Sequence, residues 1–194
     1  LINGKTAVGG GRNANPGTLT IEPGTTIQGI GQGIDYLVVQ PGSKLYAEGT
    51  ATAPIIFTGP TDVPGSWAGL VLAGNAVNNS CTGATPCAFE ADSNITFGGN
   101  DDNDSSGALR YVQIRYAGQV IRENEELNAL TLLAVGRGTV IDHVHVHAGK
   151  DDGFEMFGGA VKVVTMISSK LRPKASTAPA SSAERICGNV TSRN

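Results

Sequence analysis

The residues best equipped for chemistry stand together in Ile141-Asp142-His143-Val144-His145-Val146-His147 and in Ala148-Gly149-Lys150-Asp151-Asp152-Gly153-Phe154-Glu155, which follows at once. All 3 histidines of the chain are there. The first stretch reads as a strand, and a strand sends alternate side chains to one side. His145 and His147 therefore share a face, roughly 7 Å apart by strand rise. The turn that follows is crowded with carboxylates. His147, Asp151, Asp152 and Glu155 are the catalytic candidates, as general acids and bases for hydrolysis of an ester or a glycosidic bond. Two other readings of the same residues stay open. Asp151-Asp152-Gly153 also suits an Asx-type turn beside solvated histidines. His145 and His147 also suit a shared metal ion with a nearby carboxylate.

Such side chains need a scaffold, and the scaffold is visible as repetition. Leu19-Thr20-Ile21-Glu22-Pro23-Gly24-Thr25-Thr26-Ile27 superposes on Leu37-Val38-Val39-Gln40-Pro41-Gly42-Ser43-Lys44-Leu45, eighteen residues on. Leu109 to Arg115 superposes on Ile141 to His147 and, more loosely, on Val161 to Ile167. Each unit is a short strand, a corner and another strand, and none can bury its apolar row alone; stacked coils can. The fold class expected is all-β, a parallel β-helix (solenoid), with a β-sandwich as the competing arrangement. Stacking the later units sets Gln113, His145 and Thr165 in one outward column, Arg115, His147 and Ile167 in the next, and Arg110, Asp142 and Lys162 in a third. Gln113, His145 and Tyr116 are then candidates for holding substrate, and Arg115 for neutralising a substrate carboxylate or an oxyanion. Trp67 and Tyr116 could stack on sugars or pack at a coil edge.

Composition agrees with a turn-rich β protein: 27 glycines, 16% charged residues and few aromatics in 194 residues, enough for one domain. That domain is expected over 1–169, with loop insertions near 75–92, 98–107 and 119–127. From Arg172 the strand pattern fails, and 170–194 reads as an Ala/Ser/Pro-rich tail. A net charge of −3 offers no basic patch for phosphates, so nucleic acid is not an expected partner. No apolar run approaches the ~18 residues of a bilayer span. No signal segment opens the chain, so the numbering starts after processing or the chain is a fragment. Gly-x-Ser-x-Gly, Walker-type and Cys-x-x-Cys patterns do not occur, which leaves serine-elbow, nucleotide and paired-thiol chemistry without support.

Two features of the insertions matter. Cys81 and Cys87 sit in a short polar loop that suits a disulfide in an exported protein, with two unrelated thiols as the alternative; Cys187 is left over. Asp102, Asp104, Ser106 and Gly107 follow the opening spacing of a calcium loop, but the twelfth position is Gln113 and not glutamate. A complete EF-hand is excluded, while a simpler calcium site and a plain acidic turn both remain. No cofactor is required by any of these readings, and calcium is a possible ion at this loop.

The stretches Leu19 to Ile27, Ala47-Glu48-Gly49-Thr50-Ala51, Pro54 to Thr58, Trp67 to Leu72, Leu109 to Val112, Glu126 to Asn128 and Gly149-Lys150-Asp151-Asp152-Gly153-Phe154-Glu155 resemble exported bacterial right-handed parallel β-helix proteins of pectate-lyase-like coil architecture. The likeness runs over roughly residues 15 to 169. It implies a coil and a secreted, periplasmic or cell-surface location, and it assigns no reaction. Two aspartates assisted by an arginine also resemble the set used by β-helix pectin esterases. Similar proteins continue with further coils where this chain enters Lys170-Leu171-Arg172-Pro173-Lys174, so a truncation or a change of reading frame near Ser169 is expected. An open solenoid end leaves backbone groups unpaired, and association of copies through such ends into a homo-oligomer is the physical consequence. The function expected is engagement of an extracellular polymer, a polysaccharide, with ester or glycosidic hydrolysis as the sharper version. A non-catalytic adhesion or structural module, calcium-stabilised or not, is the alternative.

Overall fold

The structure, a computed structural model, describes residues 1–12, 14–81, 86–122 and 125–170. The expected tail falls almost wholly outside the described residues. Those residues form β-strands and no helix. Two parallel sheets carry the fold. The five-stranded sheet runs Lys5–Val8, Tyr36–Val39, Gly69–Ala73, Leu130–Val135, Phe154–Gly159. The eight-stranded sheet is built from Thr18–Ile21, Thr26–Gln28, Lys44–Glu48, Ile55–Thr58, Gly107–Arg115, Val140–His147, Lys162–Val163 and Met166–Ser169. The chain visits the sheets in turn, one strand in the first and one bent or broken strand in the second, so each circuit lies on the one before. This is a parallel β-helix.

Burial explains why the coils stack. Leu45, Ala47, Ile55, Phe57, Leu109, Val112, Ile114, Ile141, Val144 and Val146 from one sheet meet Leu37, Val39, Leu70, Leu72, Leu130 and Leu132 from the other, all buried in one core. Fully burying a side chain of this kind is worth about 1.5–3 kcal/mol. Trp67 belongs to this core, fully buried, with its Nε1 donating to the carbonyl of Arg115 at 2.7 Å, so packing is its role.

The three inner strands of the five-stranded sheet are buried on both faces. Val38, Val71, Ala73, Leu133 and Ala134 point out of the coil into a second core, closed by Phe89, Ile95, Phe97 and Leu127. The first and third insertions thus cover this sheet, which accounts for strands such as Tyr36–Val39 and Gly69–Ala73 being apolar throughout. Cys81 and Cys87 are joined by a disulfide in the first insertion, with Cα atoms 5.4 Å apart. The eight-stranded sheet alternates instead: in Val140–His147, Ile141, Val144 and Val146 are buried while His145 and His147 face outward.

Two repeat alignments differ from the pairing observed. Leu19 stacks on Leu45 and Ile21 on Ala47, whereas Leu37 stacks on Leu70 in the other sheet. The eighteen-residue likeness marks a recurring turn, not the coil period. Thr25 N donates to Glu22 O at 3.2 Å and Ser43 N to Gln40 O at 2.9 Å, each across a Pro-Gly pair with the glycine at φ 79° or 80°. That is the turn which needs glycine third. The last unit is displaced by two residues: Ile141, Val144 and Val146 pair with Val163, Met166 and Ser168. Val163 and Met166 enter the core, and register follows the residues that enter it. His145 is therefore followed by Ile167, not Thr165, and His147 by Ser169, not Ile167. Lys162 pairs with Val140, not Asp142.

Candidate functional site

The uncovered outer face of the eight-stranded sheet carries two polar columns. One runs Thr26, Ile56, Gln113, His145, Ile167; the other runs Gln28, Thr58, Arg115, His147, Ser169. Arg115 Nε donates to Gln113 Oε1 at 3.0 Å. Ser169 Oγ lies 2.9 Å from His145 Nε2 and 3.2 Å from His147 Nδ1. The Tyr116 ring meets His147 edge-on, centroids 5.6 Å apart. Burial first, and then the neighbouring His147 and Arg115, hold the His145 imidazole below the ordinary histidine range. The sequence placed Gln113, Arg115, Tyr116, His145 and His147; it missed Ser169, whose place depends on the two-residue displacement.

Beside these columns lies a groove of about 290 Å³ that crosses successive coils. Thr50, Ala51 and Pro54 border it, Tyr111, Gln113, His143 and His145 line its middle, and Thr165 and Ile167 border its far side. The corner of the sheet is braced by a ladder of charge: Arg110 Nε to Glu48 at 3.2 Å, Arg110 Nη1 to Asp142 at 3.5 Å, and His143 Nδ1 to Asp142 at 2.7 Å.

The carboxylates grouped with His147 in the sequence lie in the turn and the strand that follow it. Glu155 belongs to the five-stranded sheet, stacked on Thr131, and accepts a hydrogen bond from Asn128 Nδ2. Burial raises its pKa; the charge of Glu90 raises it further, Asn128 opposes, and Asp152 and Asp151 add to the rise. Asp151 and Asp152 thus neighbour Glu155, in the corner between the sheets. The main chain there serves the stack, Asp152 O accepting from Ala129 N at 3.1 Å and Lys150 N donating to Ala117 O at 2.9 Å.

The acidic insertion is internally committed. Asp102 accepts from Val77 N at 3.1 Å and from Arg137 Nη2 at 3.2 Å, and Asp104 from Asn75 N at 2.9 Å. Ser106 Oγ is buried, and Ser106 N donates to Thr139 at 2.8 Å. Asp102, Asp104 and Ser106 tie this loop to the coil and to the neighbouring insertion. Among the described residues no three His, Cys, Asp or Glu side chains are grouped to hold a metal ion.

The chain is matched over residues 2–172 by the family model of the pectate-lyase-like beta helix domain. The chain belongs to this family. Membership in the pectate-lyase-like β-helix family takes in the N-terminal coil, which the sequence likeness from residue 15 onward left out. No curated protein and no solved structure matches the chain. Among the described residues no helix is long and apolar enough to cross a membrane.

Proposed function

We propose that this β-helix is an exported module that holds an extended extracellular polysaccharide along its coil axis, over the open face of the eight-stranded sheet. The observation that carries this reading is the groove across successive coils, with Tyr111 and His143 as a ring-lined wall and Gln113 and His145 as hydrogen-bonding groups beside it. Strands in register repeat every ~4.8 Å, so equivalent donors recur along the groove as equivalent hydroxyls recur along a sugar chain. Arg115 gives the patch a positive charge suited to an anionic substituent on the polymer. Membership in a pectate-lyase-like family supports the same ligand class.

Hydrolysis is the sharper version of this reading. His147 and His145 would supply a base, Ser169 a hydroxyl and Arg115 a partner for an oxyanion. The carboxylates Asp151, Asp152 and Glu155 stand around the corner from them, which favours binding over a two-carboxylate glycosidase. The non-catalytic module named as the alternative differs only in lacking turnover.

Affinity electrophoresis through pectin-like, neutral and sulfated polysaccharides tests the binding. Retardation by at least one polymer, lost in Gln113→Ala/His145→Ala, is the expected result, and free migration in every gel overturns the proposal. Product release by the wild type that disappears in His147→Ala would add the enzyme reading.

A further inference from the structure

Ser169 has one hydroxyl proton, yet two imidazole nitrogens reach for its oxygen, at 2.9 Å from His145 Nε2 and 3.2 Å from His147 Nδ1. The hydroxyl can donate to only one of them. The other ring must turn an N–H toward the same oxygen or leave its lone pair unused. Three donor atoms are thus directed at one small volume, from two adjacent residues of a column and from the coil stacked upon it.

We propose that His145 Nε2, His147 Nδ1 and Ser169 Oγ form a binding site for a divalent transition-metal ion of the zinc, copper or nickel class. Imidazole nitrogen is the donor these ions favour. A metal–nitrogen bond of ~2.0–2.1 Å is shorter than either nitrogen–oxygen distance here. An ion held between the rings needs both side chains turned until each nitrogen stands at that distance, with Ser169 or water completing its shell. A bound ion would accept a lone pair from each ring, whereas the hydroxyl donates to one ring and can accept an N–H from the other.

The environment sets limits on that ion. Arg115 opposes a cation by its charge, although its guanidinium is turned onto Gln113 Oε1. No carboxylate touches the donors among the contacts described, so a hard oxygen-seeking ion such as calcium is disfavoured. The inference does not depend on what the groove binds.

Calorimetric titration of the full chain, freed of metal and carrying Cys187→Ser so that the leftover thiol does not compete, tests it with Zn²⁺, Ni²⁺ and Cu²⁺. One saturable site is expected, weakened about tenfold or more by His145→Gln and by His147→Gln. Both variants keep a side chain able to bond Ser169, and circular dichroism checks their fold. Arg115→Gln is expected to tighten binding, and His143→Ala to leave it unchanged. Nitrogen hyperfine structure from two imidazoles in the Cu²⁺ resonance spectrum would support the ligand set. No saturable binding by the parent, or binding in both glutamine variants as tight as the parent's, overturns the proposal; so does loss of binding in His143→Ala alone.

Discussion

Tyr111 and His143 lie ring on ring, centroids 4.5 Å apart and planes inclined by 23°, at successive corners of the coil. Both backbones there are left-handed, with φ of 47° and 52°. That conformation costs an L-residue about 1–2 kcal/mol. The stack holds a sharp bend that neither residue favours alone. His143→Gly removes the ring but relieves the backbone, whereas His143→Ala removes the ring and keeps the strain. The alanine variant is expected to be the less stable by about 1 kcal/mol in urea melts, opposite to the order at an ordinary strand position.

Glu155 answers to its neighbours' charge. Its carboxyl is raised by burial first and by Glu90 next. A carboxyl whose folded pKa exceeds its unfolded value, near 4.3, binds its proton more tightly in the folded state, so stability falls as pH climbs from that value through the raised one. Glu155→Gln removes the charge and can still accept from Asn128. It is expected to melt above the wild type at pH 7 and level with it below about pH 4.

Asp92 behaves in the opposite sense. Burial would push its carboxyl up, but bonds from Lys5 Nζ at 2.7 Å, Tyr36 Oη at 2.6 Å and Asn94 outweigh that and hold it near 2. Its stabilisation is complete above the unfolded value near 4 and is lost as pH falls toward 2. Asp92→Asn is expected to lower stability by about 1–3 kcal/mol at pH 7. Melting curves for the two proteins should converge on acidification.

Asp104 fastens the acidic insertion through Asn75 N. Asp104→Ala is expected to cost about 1 kcal/mol, the net worth of such a bond. Because Asp102 and Asp104 already have protein donors, a chelator is expected to leave the melting temperature unchanged. A fall on chelation would favour calcium held by Asp102, Asp104 and Ser106.

Much of this architecture can be read from residue order. Ile141, Val144 and Val146 alternate with His145 and His147, and that alternation gives the strand, its inner face and its outer columns. The second core is not legible in the same way, since Phe89 lies in an insertion, Ile95 and Phe97 lie in the short segment between two insertions, and only their seat on a sheet makes them core. Glu155 fails as a partner for His147 because Ala148, at φ 56°, turns the chain out of one sheet before it enters the other at Phe154. Ser169 was hidden for a further reason. Its neighbour in space is set by which of Val161, Val163 and Met166 enter the core opposite Ile141 and Val144, a choice that three similar apolar residues do not announce.

The columns on the open face are also a ruler. Backbone hydrogen bonds fix successive coils at ~4.8 Å, and no hinge between coils can stretch that interval. A polymer lying along Gln113, His145 and their column neighbours must be commensurate with it. A chain whose repeat matches a whole number of coils adds the same contact again with every step, while a mismatched chain slips out of phase after one or two. Discrimination then grows with ligand length, and short oligomers of different sugars would be told apart poorly by a surface that sorts their long polymers well.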